Sequence, residues 1–494
     1  MCPILKQGSQ RNHPKSYRPV SLTSHLIKVF EKIMRSHIIN YLEDKDLLNA
    51  SQHGFRSGRS CLSQLIAHYD KILALLDEGM HVDVVYLDFA KAFDKLDFNI
   101  TLSKLSKLGI NGKIGKWIHS FLTGRKQSVV VNGEKSNPAA VLSGVPQGSV
   151  IGPLLFLVLI GDIDKDICNA FLSSFADDTR VGYGVKSTED AKLLQEDLDK
   201  VYNWAEENNM LFNSKKFELL RYGQNTDLKS STEYTSNTGD PIATKDSTKD
   251  LGVTMSSSGD FKEHISNVVE TAKELSAWIL RSFKSRSPLL MLQLWKSIVI
   301  PRLDYCSQLW SPHQIGLIQQ IEDVQRSYVK HIAGCRELGY HDALKKLGLY
   351  SLQRRRERYQ IIYLWSIIEG KVPNIASLDN ENLIRVHSQI DSRKGRTIYI
   401  KPLKRGRYQT LRFNSLPFKG ARLFNSLNRD IRNATGMSKD GFKSMLDGTL
   451  KLIPDTPLLR SQSIPIQLTN SLMELAHSCP TGTRRQESAA VGRR

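Results

Sequence analysis

Phe175-Ala176-Asp177-Asp178 sits between two short β-prone runs, residues 170–174 and 179–184. That spacing predicts a tight hairpin with two adjacent carboxylates at its tip. Neighbouring carboxylates repel, which costs stability unless a cation or a proton neutralises them. A third acid, Asp88, ends the strand-like run Val82-Asp83-Val84-Val85-Tyr86-Leu87. Three carboxylates converging from a strand end and a hairpin tip would offer Mg²⁺ the hard oxygen ligands it prefers. A solvated acidic turn is the alternative, and the pair alone does not decide between them.

Charge points to the class of partner. Lys and Arg total 69 against 50 Asp and Glu, a net charge of +19. This excess favours a polyanion such as nucleic acid. The basic residues recur along the chain, so a basic tail does not account for them. The six cysteines, Cys2, Cys61, Cys168, Cys306, Cys335 and Cys479, form no CxxC and no zinc knuckle, which predicts reduced thiols. The first residues lack the apolar core of a signal peptide, and the apolar run 154–160 is too short to cross a bilayer. A soluble intracellular protein without a membrane partner is expected; nucleus and cytoplasm both stay open, since no bipartite basic signal occurs.

At 494 residues the chain has room for about two to four domains. Tyr17-Arg18-Pro19-Val20-Ser21-Leu22 reads as extended, and residues 24–42 as a helix with Leu26, Val29, Phe30, Ile33, Ile38 and Tyr41 mostly on one face. Gln52-His53-Gly54-Phe55-Arg56-Ser57-Gly58-Arg59-Ser60 is a Gly/Arg loop, suited either to phosphate or to a plain surface turn. Ser60 is placed to cap the helix that follows. Asn132-Gly133 marks a hairpin. Ser143-Gly144-Val145-Pro146-Gln147-Gly148-Ser149 leads into a buried helix with Pro153 in its first turn. Residues 189–209 form an amphipathic helix through Ala191, Leu194, Leu198, Val201 and Ala205. The alternation predicts an α+β domain with helices on one face of a small, largely antiparallel sheet.

Residues 223–248 read as a polar loop or insertion, and from Phe261 the pattern turns helical. Arg354, Arg355, Arg356 and Arg358 make either a solvated face or a phosphate track. The same two readings apply to Lys394, Arg396, Lys401, Lys404 and Arg405. Residues 455–494 lose all periodicity and are expected to be a disordered tail.

Taken in order, Tyr86-Leu87-Asp88-Phe89-Ala90-Lys91-Ala92-Phe93-Asp94, Gly144-Val145-Pro146-Gln147-Gly148-Ser149 and Phe175-Ala176-Asp177-Asp178 resemble the motifs of non-LTR (LINE-like) retrotransposon reverse transcriptases. The jockey-like and chicken-repeat-like groups are the nearest in appearance. The resemblance covers residues 1–370 and continues more loosely through Arg422-Leu423-Phe424-Asn425-Ser426-Leu427. It implies a right-hand polymerase: fingers in 1–80, palm in 81–222, a loop and primer-grip region in 223–260, a helical thumb in 261–370 and a basic C-terminal region in 371–454.

The same resemblance implies site roles. Asp88, Asp177 and Asp178 match the metal-binding triad for two Mg²⁺ ions, or Mn²⁺, with Asp177 a more direct ligand than Asp178. Phe93 matches a steric gate beneath the sugar, the alternative being a core Phe. Gln147, with Pro146 and Gly148, lines the nucleotide pocket. Lys6 and Arg18 pair with the triphosphate, and Arg56 and Arg59 touch template or triphosphate. Lys216 is a candidate proton donor to pyrophosphate, with Lys215 beside it as the other choice. Leu251, Gly252 and Val253 match the primer grip. Expected partners are an RNA template, a DNA primer and dNTPs.

The chain starts within the family's fingers and shows neither an endonuclease domain nor a Cys/His knuckle, so a truncated copy is expected. RNA-directed DNA polymerase activity is one reading, and a catalytically inactive nucleic-acid-binding relic is the other. A metal-dependent nuclease explains the acids but not Phe93 or the Pro-Gln-Gly loop.

Overall fold

The computed structural model describes residues 1–6, 8, 10–379, 384–387, 395–403, 405–457 and 470–475. Lys394, Lys404 and most of the expected tail lie outside them. The chain divides into two compact units, Met1–Asp260 and Phe261–Arg494.

The first unit is built on a five-stranded sheet. Its order is Ala243–Lys245, Glu218–Tyr222, His81–Leu87, Asp178–Val185 and Phe171–Phe175. The four longer strands pair antiparallel, and only Ala243–Lys245 runs parallel to its neighbour. The central strand, His81–Leu87, explains the layering. Val82, Val84 and Val85 are all fully buried, so both faces of this strand need a cover. The helix Cys61–Asp77 covers one face, where His68 meets Tyr86 edge-on and bonds Ser173 Oγ at 2.9 Å. The other face carries Val85, Leu87 and Val181 into a core shared with the helices Gly152–Leu159 and Thr188–Glu207. Helices therefore lie on both faces of the sheet, not on one as the sequence suggests. Three buried valines within four residues, Val82, Val84 and Val85, were the available sign.

Local chemistry explains the helix ends. Ser60 and Ser63 form a reciprocal capping box at the head of Cys61–Asp77. Ser187 and Asp190 do the same for Thr188–Glu207, whose Ala191, Leu194, Leu198, Val201 and Ala205 are buried together. The helix His25–Asp44 departs from expectation. Ile38, Ile39 and Leu42 are buried, but Leu26, Val29 and Ile33 are more than half exposed. Phe30 keeps an edge-to-face contact with Trp117 at 5.1 Å. Residues 223–248 are more ordered than a loop. Arg221 holds the carbonyls of Lys229 and Thr232 while pairing with buried Asp83, which fixes the helix Thr226–Ser231 beside the sheet.

In the second unit, the arginine cluster on the helix Leu352–Ile368 forms neither a solvated face nor a phosphate track. Arg354 and Arg356 are buried. Arg355 makes a bidentate pair with Asp304, and Arg358 another with Asp447. Glu322 accepts the backbone N–H groups of Leu352 and Gln353 and so caps that helix. Arg396 pairs with Glu369 at 2.7 Å, while Lys401 and Arg405 are exposed. Part of the expected tail is docked. Asp455 accepts from Ser351, and Leu472, fully buried, donates its N–H to Glu357. No helix among the described residues is long and apolar enough to cross a membrane.

Candidate active site

The strand His81–Leu87 delivers Asp88 to one end of the sheet. Its exit is fixed from both sides: Asn213 N–H donates to Asp88 O at 2.8 Å, and Phe89 stacks on Phe212 at 4.3 Å. The neighbouring strand, Asp178–Val185, pairs in turn with Phe171–Phe175 as an antiparallel hairpin, with Phe175 opposite Asp178. Ala176 takes a left-handed φ of 56° there, so the turn closes with only Ala176 and Asp177 between the paired positions. Asp88 and Asp177 line one cavity of about 1150 Å³.

The rest of that cavity is mostly apolar and basic, with one further acid, Asp94. Lys6, Tyr17 and Arg18 come from the antiparallel pair Cys2–Leu5 and Tyr17–Val20 and the segment between them. Phe93 presents its ring from the short helix Ala92–Lys95. It stacks on Phe156 at 4.7 Å and meets Phe55 edge-on at 6.0 Å. It is thus both wall and core.

Pro146, Gln147 and Gly148 form the facing loop. Gln147 Nε2 donates to Asp94 Oδ1 at 2.9 Å, and its carbonyl accepts from Ser21 N–H at 2.7 Å. Gly148 has φ +116°, and a Cβ there would stand 2.9 Å from Ser21 O, so a side chain is excluded. Glu31 fastens the loop from below, accepting the N–H groups of Val150 and Ile151 at 2.5 and 3.1 Å.

Electrostatics mark the acids. Asp177 is raised above the usual carboxylate range by burial and by Asp88, against the pull of Arg18 and Lys216. Burial and the neighbouring Asp177 push Asp178 up to about 6. Lys216 Nζ donates to Asp88 Oδ2 at 3.0 Å. Lys216 lines the cavity, whereas Lys215 is not among its lining residues. Asp178 is not a lining residue either. Among the described residues, no group of three or more His, Cys, Asp or Glu side chains is gathered tightly enough to hold an ion. The three acids are therefore neighbours along one sheet end rather than a closed cage.

Arg56 and Arg59 do not line the cavity. Arg56 is buried, bidentate on Glu43, and bonds the carbonyl of Asn49 at 2.6 Å. Arg59 donates to the carbonyl of Ala50 at 2.6 Å. Leu251 and Gly252, both at positive φ, form the tip of the hairpin Ser247–Asp250 and Val253–Ser256. Asp250 pairs with buried Arg180, two residues past Asp178. Sequence reasoning missed Glu31, Arg180 and Asp250. Each is one polar residue in an apolar or polar run, and only the partner across the fold gives it meaning.

Several reverse transcriptases of mobile elements are similar in sequence to this chain. The probable RNA-directed DNA polymerase from transposon X-element of Drosophila melanogaster is 28% identical over 372 residues, 72% of this chain and 40% of that protein. The RNA-directed DNA polymerase from mobile element jockey of Drosophila melanogaster is 28% identical over 342 residues, 67% of this chain and 37% of the relative. The corresponding protein from transposon BS of the same species is 33% identical over 210 residues, 41% of this chain and 23% of the relative. The chain thus spans less than half the length of these curated relatives. Among solved structures, apo telomerase from Candida tropicalis matches with a TM-score of 0.38 and 11% identity, covering 70% of this chain and 53% of that one. Residues 4–255 match the family model described as reverse transcriptase (RNA-dependent DNA polymerase). With more than half of its length inside that match, the chain belongs to the reverse transcriptase family.

Proposed function

We propose that this chain acts as an RNA-directed DNA polymerase of the non-LTR retrotransposon class, adding dNTPs to a primer 3′-hydroxyl on an RNA template. The observation that carries the reading is the cavity itself. Asp88 and Asp177 share it with Asp94, Lys6, Arg18, Lys216, Phe93 and the Pro146–Gln147–Gly148 loop. Family membership and the names of the relatives point the same way.

The donor set fits a divalent cation. The acids are hard oxygen ligands, and Asp177 and Asp178 are each made harder to ionise by burial first and by a neighbouring carboxylate second. Asp88 and Asp177 would hold Mg²⁺ or Mn²⁺, with Asp178 supporting from the turn. When bound, two such ions supply charge neutralisation at the phosphoryl group and activation of the primer hydroxyl. The nucleophile belongs to the primer, so the protein's task is positioning. Arg18, with its planar fork, and Lys6 receive the triphosphate. Gln147, held by Asp94 and Ser21, sets one wall of the nucleotide pocket. The Phe93 ring blocks a ribose 2′-hydroxyl. Lys216 is placed to give a proton to departing pyrophosphate. The Leu251–Gly252–Val253 hairpin tip contacts the primer backbone. Arg56 and Arg59 serve by holding their loop rather than by binding phosphate.

Primer extension on poly(rA)/oligo(dT) with dTTP and Mg²⁺ tests this, wild type beside Asp177→Ala plus Asp178→Ala. Extension by wild type alone is expected. Salt-dependent duplex binding by both, with extension by neither, would sink the polymerase reading.

A further inference from the structure

The loop at residues 51–54 runs beside the acidic hairpin. Ser174 N–H donates to Ser51 O at 3.1 Å, and His53 N–H to Ser174 O at 2.9 Å. Between these two bonds, Gln52 and Ser174 pair as a parallel bridge. The Gln52 side chain then continues where the backbone ladder stops. Its Oε1 accepts Ala176 N–H at 2.8 Å, and its Nε2 donates to Ala176 O at 3.1 Å. The same Oε1 accepts Gly54 N–H at 2.7 Å. A side-chain amide thus satisfies both backbone polar groups of a residue inside the turn.

The residue it holds is the strained one. Ala176 is 6% exposed and stands at φ 56°, a left-handed conformation that L-residues rarely adopt. Strain of this kind persists only where the surroundings fix it. Gly54 allows the approach, since a Cβ there would lie 2.4 Å from Ala176 N. Arg56, Arg59 and the His53–Ser63 hydrogen bond of 2.8 Å fix the loop in turn.

Building on the polymerase reading, we propose that Gln52 is a positioning residue of the active site. Its amide locks Ala176 left-handed, which aims Asp177 into the cavity beside Asp88. It touches neither substrate nor metal. Without it, the turn relaxes toward an ordinary right-handed Ala176, and the Asp177 carboxylate swings off its bearing. Misplacement of a catalytic group by about 1 Å costs up to about a hundredfold in rate.

The test uses the full chain with Gln52→Met, which keeps the length and loses all three hydrogen bonds. Mn²⁺ binding followed by electron paramagnetic resonance, without primer or nucleotide, gives a readout separate from turnover. Gln52→Met is expected to weaken Mn²⁺ binding about tenfold and to lower kcat for primer extension by about tenfold to a hundredfold. KM for dTTP should move less than about twofold, because the triphosphate contacts lie elsewhere in the cavity. Glycine adopts the left-handed conformation without cost, so Ala176→Gly combined with Gln52→Met should recover much of both losses. A purely structural role would lower the thermal midpoint and show no such rescue.

Wild-type Mn²⁺ binding and kcat in Gln52→Met would overturn the proposal, as would losses that Ala176→Gly fails to relieve. Asp177→Ala is the control. If it loses Mn²⁺ binding while Gln52→Met keeps it, only the positioning role fails. If Asp177→Ala binds Mn²⁺ like wild type, the cavity is not the metal site, and both readings fall.

Discussion

Lys216 Nζ occupies an oxygen of Asp88 at 3.0 Å, the same oxygen type a divalent ion would claim. The pair is partly exposed, and such pairs are weak, about 0–1 kcal/mol, so an incoming ion can displace the ammonium. Under the proposed mechanism, displacement would free Lys216 to act as the proton donor.

Removing Lys216 should therefore separate binding from chemistry. In Lys216→Ala, Mn²⁺ is expected to bind a few-fold more tightly, since a competing cation is gone. Primer extension should nevertheless slow by about a hundredfold, the lower end of general acid contributions. Lys216→Arg keeps the charge but does not release a proton, so Mn²⁺ affinity should stay near wild type while the rate remains low. Recovery of the rate in Lys216→Arg would refute the proton-donor role.

Asp178 predicts a pH dependence. Its folded-state pKa, pushed up to about 6, lies above the ordinary carboxylate value near 3.8. A raised acid favours its protonated form in the folded chain. Stability from this group is thus present below about pH 4, is lost as pH rises from 4 to 6, and stays lost above. Asp178→Asn should raise the thermal midpoint at pH 8 in chelator by about 2 °C, a modest gain because the side chain is partly solvated. The gain should vanish at pH 4. Added Mg²⁺ should stabilise wild type at pH 8 and progressively less below pH 6, where protons compete for the carboxylate. A mutant no more stable than wild type at pH 8 would contradict the crowding of the acids.

Much of this site was legible because its signals are local. Asp88 at a strand end, the acidic hairpin and the Gly/Pro loop around Gln147 are written in consecutive residues. The capping serine Ser60 and the buried stripe of Thr188–Glu207 are likewise local. What stayed hidden depends on distant partners. Arg56 carries the composition of a phosphate ligand, but Glu43 and two carbonyls claim it. Arg355 and Arg358 are claimed by Asp304 and Asp447, far along the chain. Ala243–Lys245 is an exposed edge strand with no apolar alternation to betray it. Gln52 sat in plain view within the loop, but its partner Ala176 is 124 residues away.

Phe93 offers a specificity test. Its ring lines the cavity while stacking on Phe156, so shortening it changes both selectivity and packing. Phe93→Val should raise incorporation of rUTP relative to dTTP by about a hundredfold, toward the upper end of the roughly 10–200-fold that a pocket gains or loses by a single steric contact. The thermal midpoint should fall at the same time, because the ring stack is lost. An equal loss of both nucleotides, with discrimination unchanged, would mean that Phe93 is a core residue only.

The Arg180–Asp250 pair ties the strand that carries Asp178 to the hairpin whose tip is Leu251 and Gly252. Both side chains are almost wholly buried, and burial raises the Asp250 carboxyl even against Arg180. Breaking one half of such a pair strands the other charge in the interior, which costs about 3–5 kcal/mol. Arg180→Met should lose that much stability to urea at pH 8. The loss should shrink at pH 5, where unpaired Asp250 can take up a proton. Arg180→Met with Asp250→Leu, which removes both charges, should recover most of the stability. Primer extension by the double variant should stay slow, because the hairpin then has packing but no fixed anchor beside Asp178. Full activity in the stable double variant would show that the ion pair serves the fold and not the register of the hairpin against the acids.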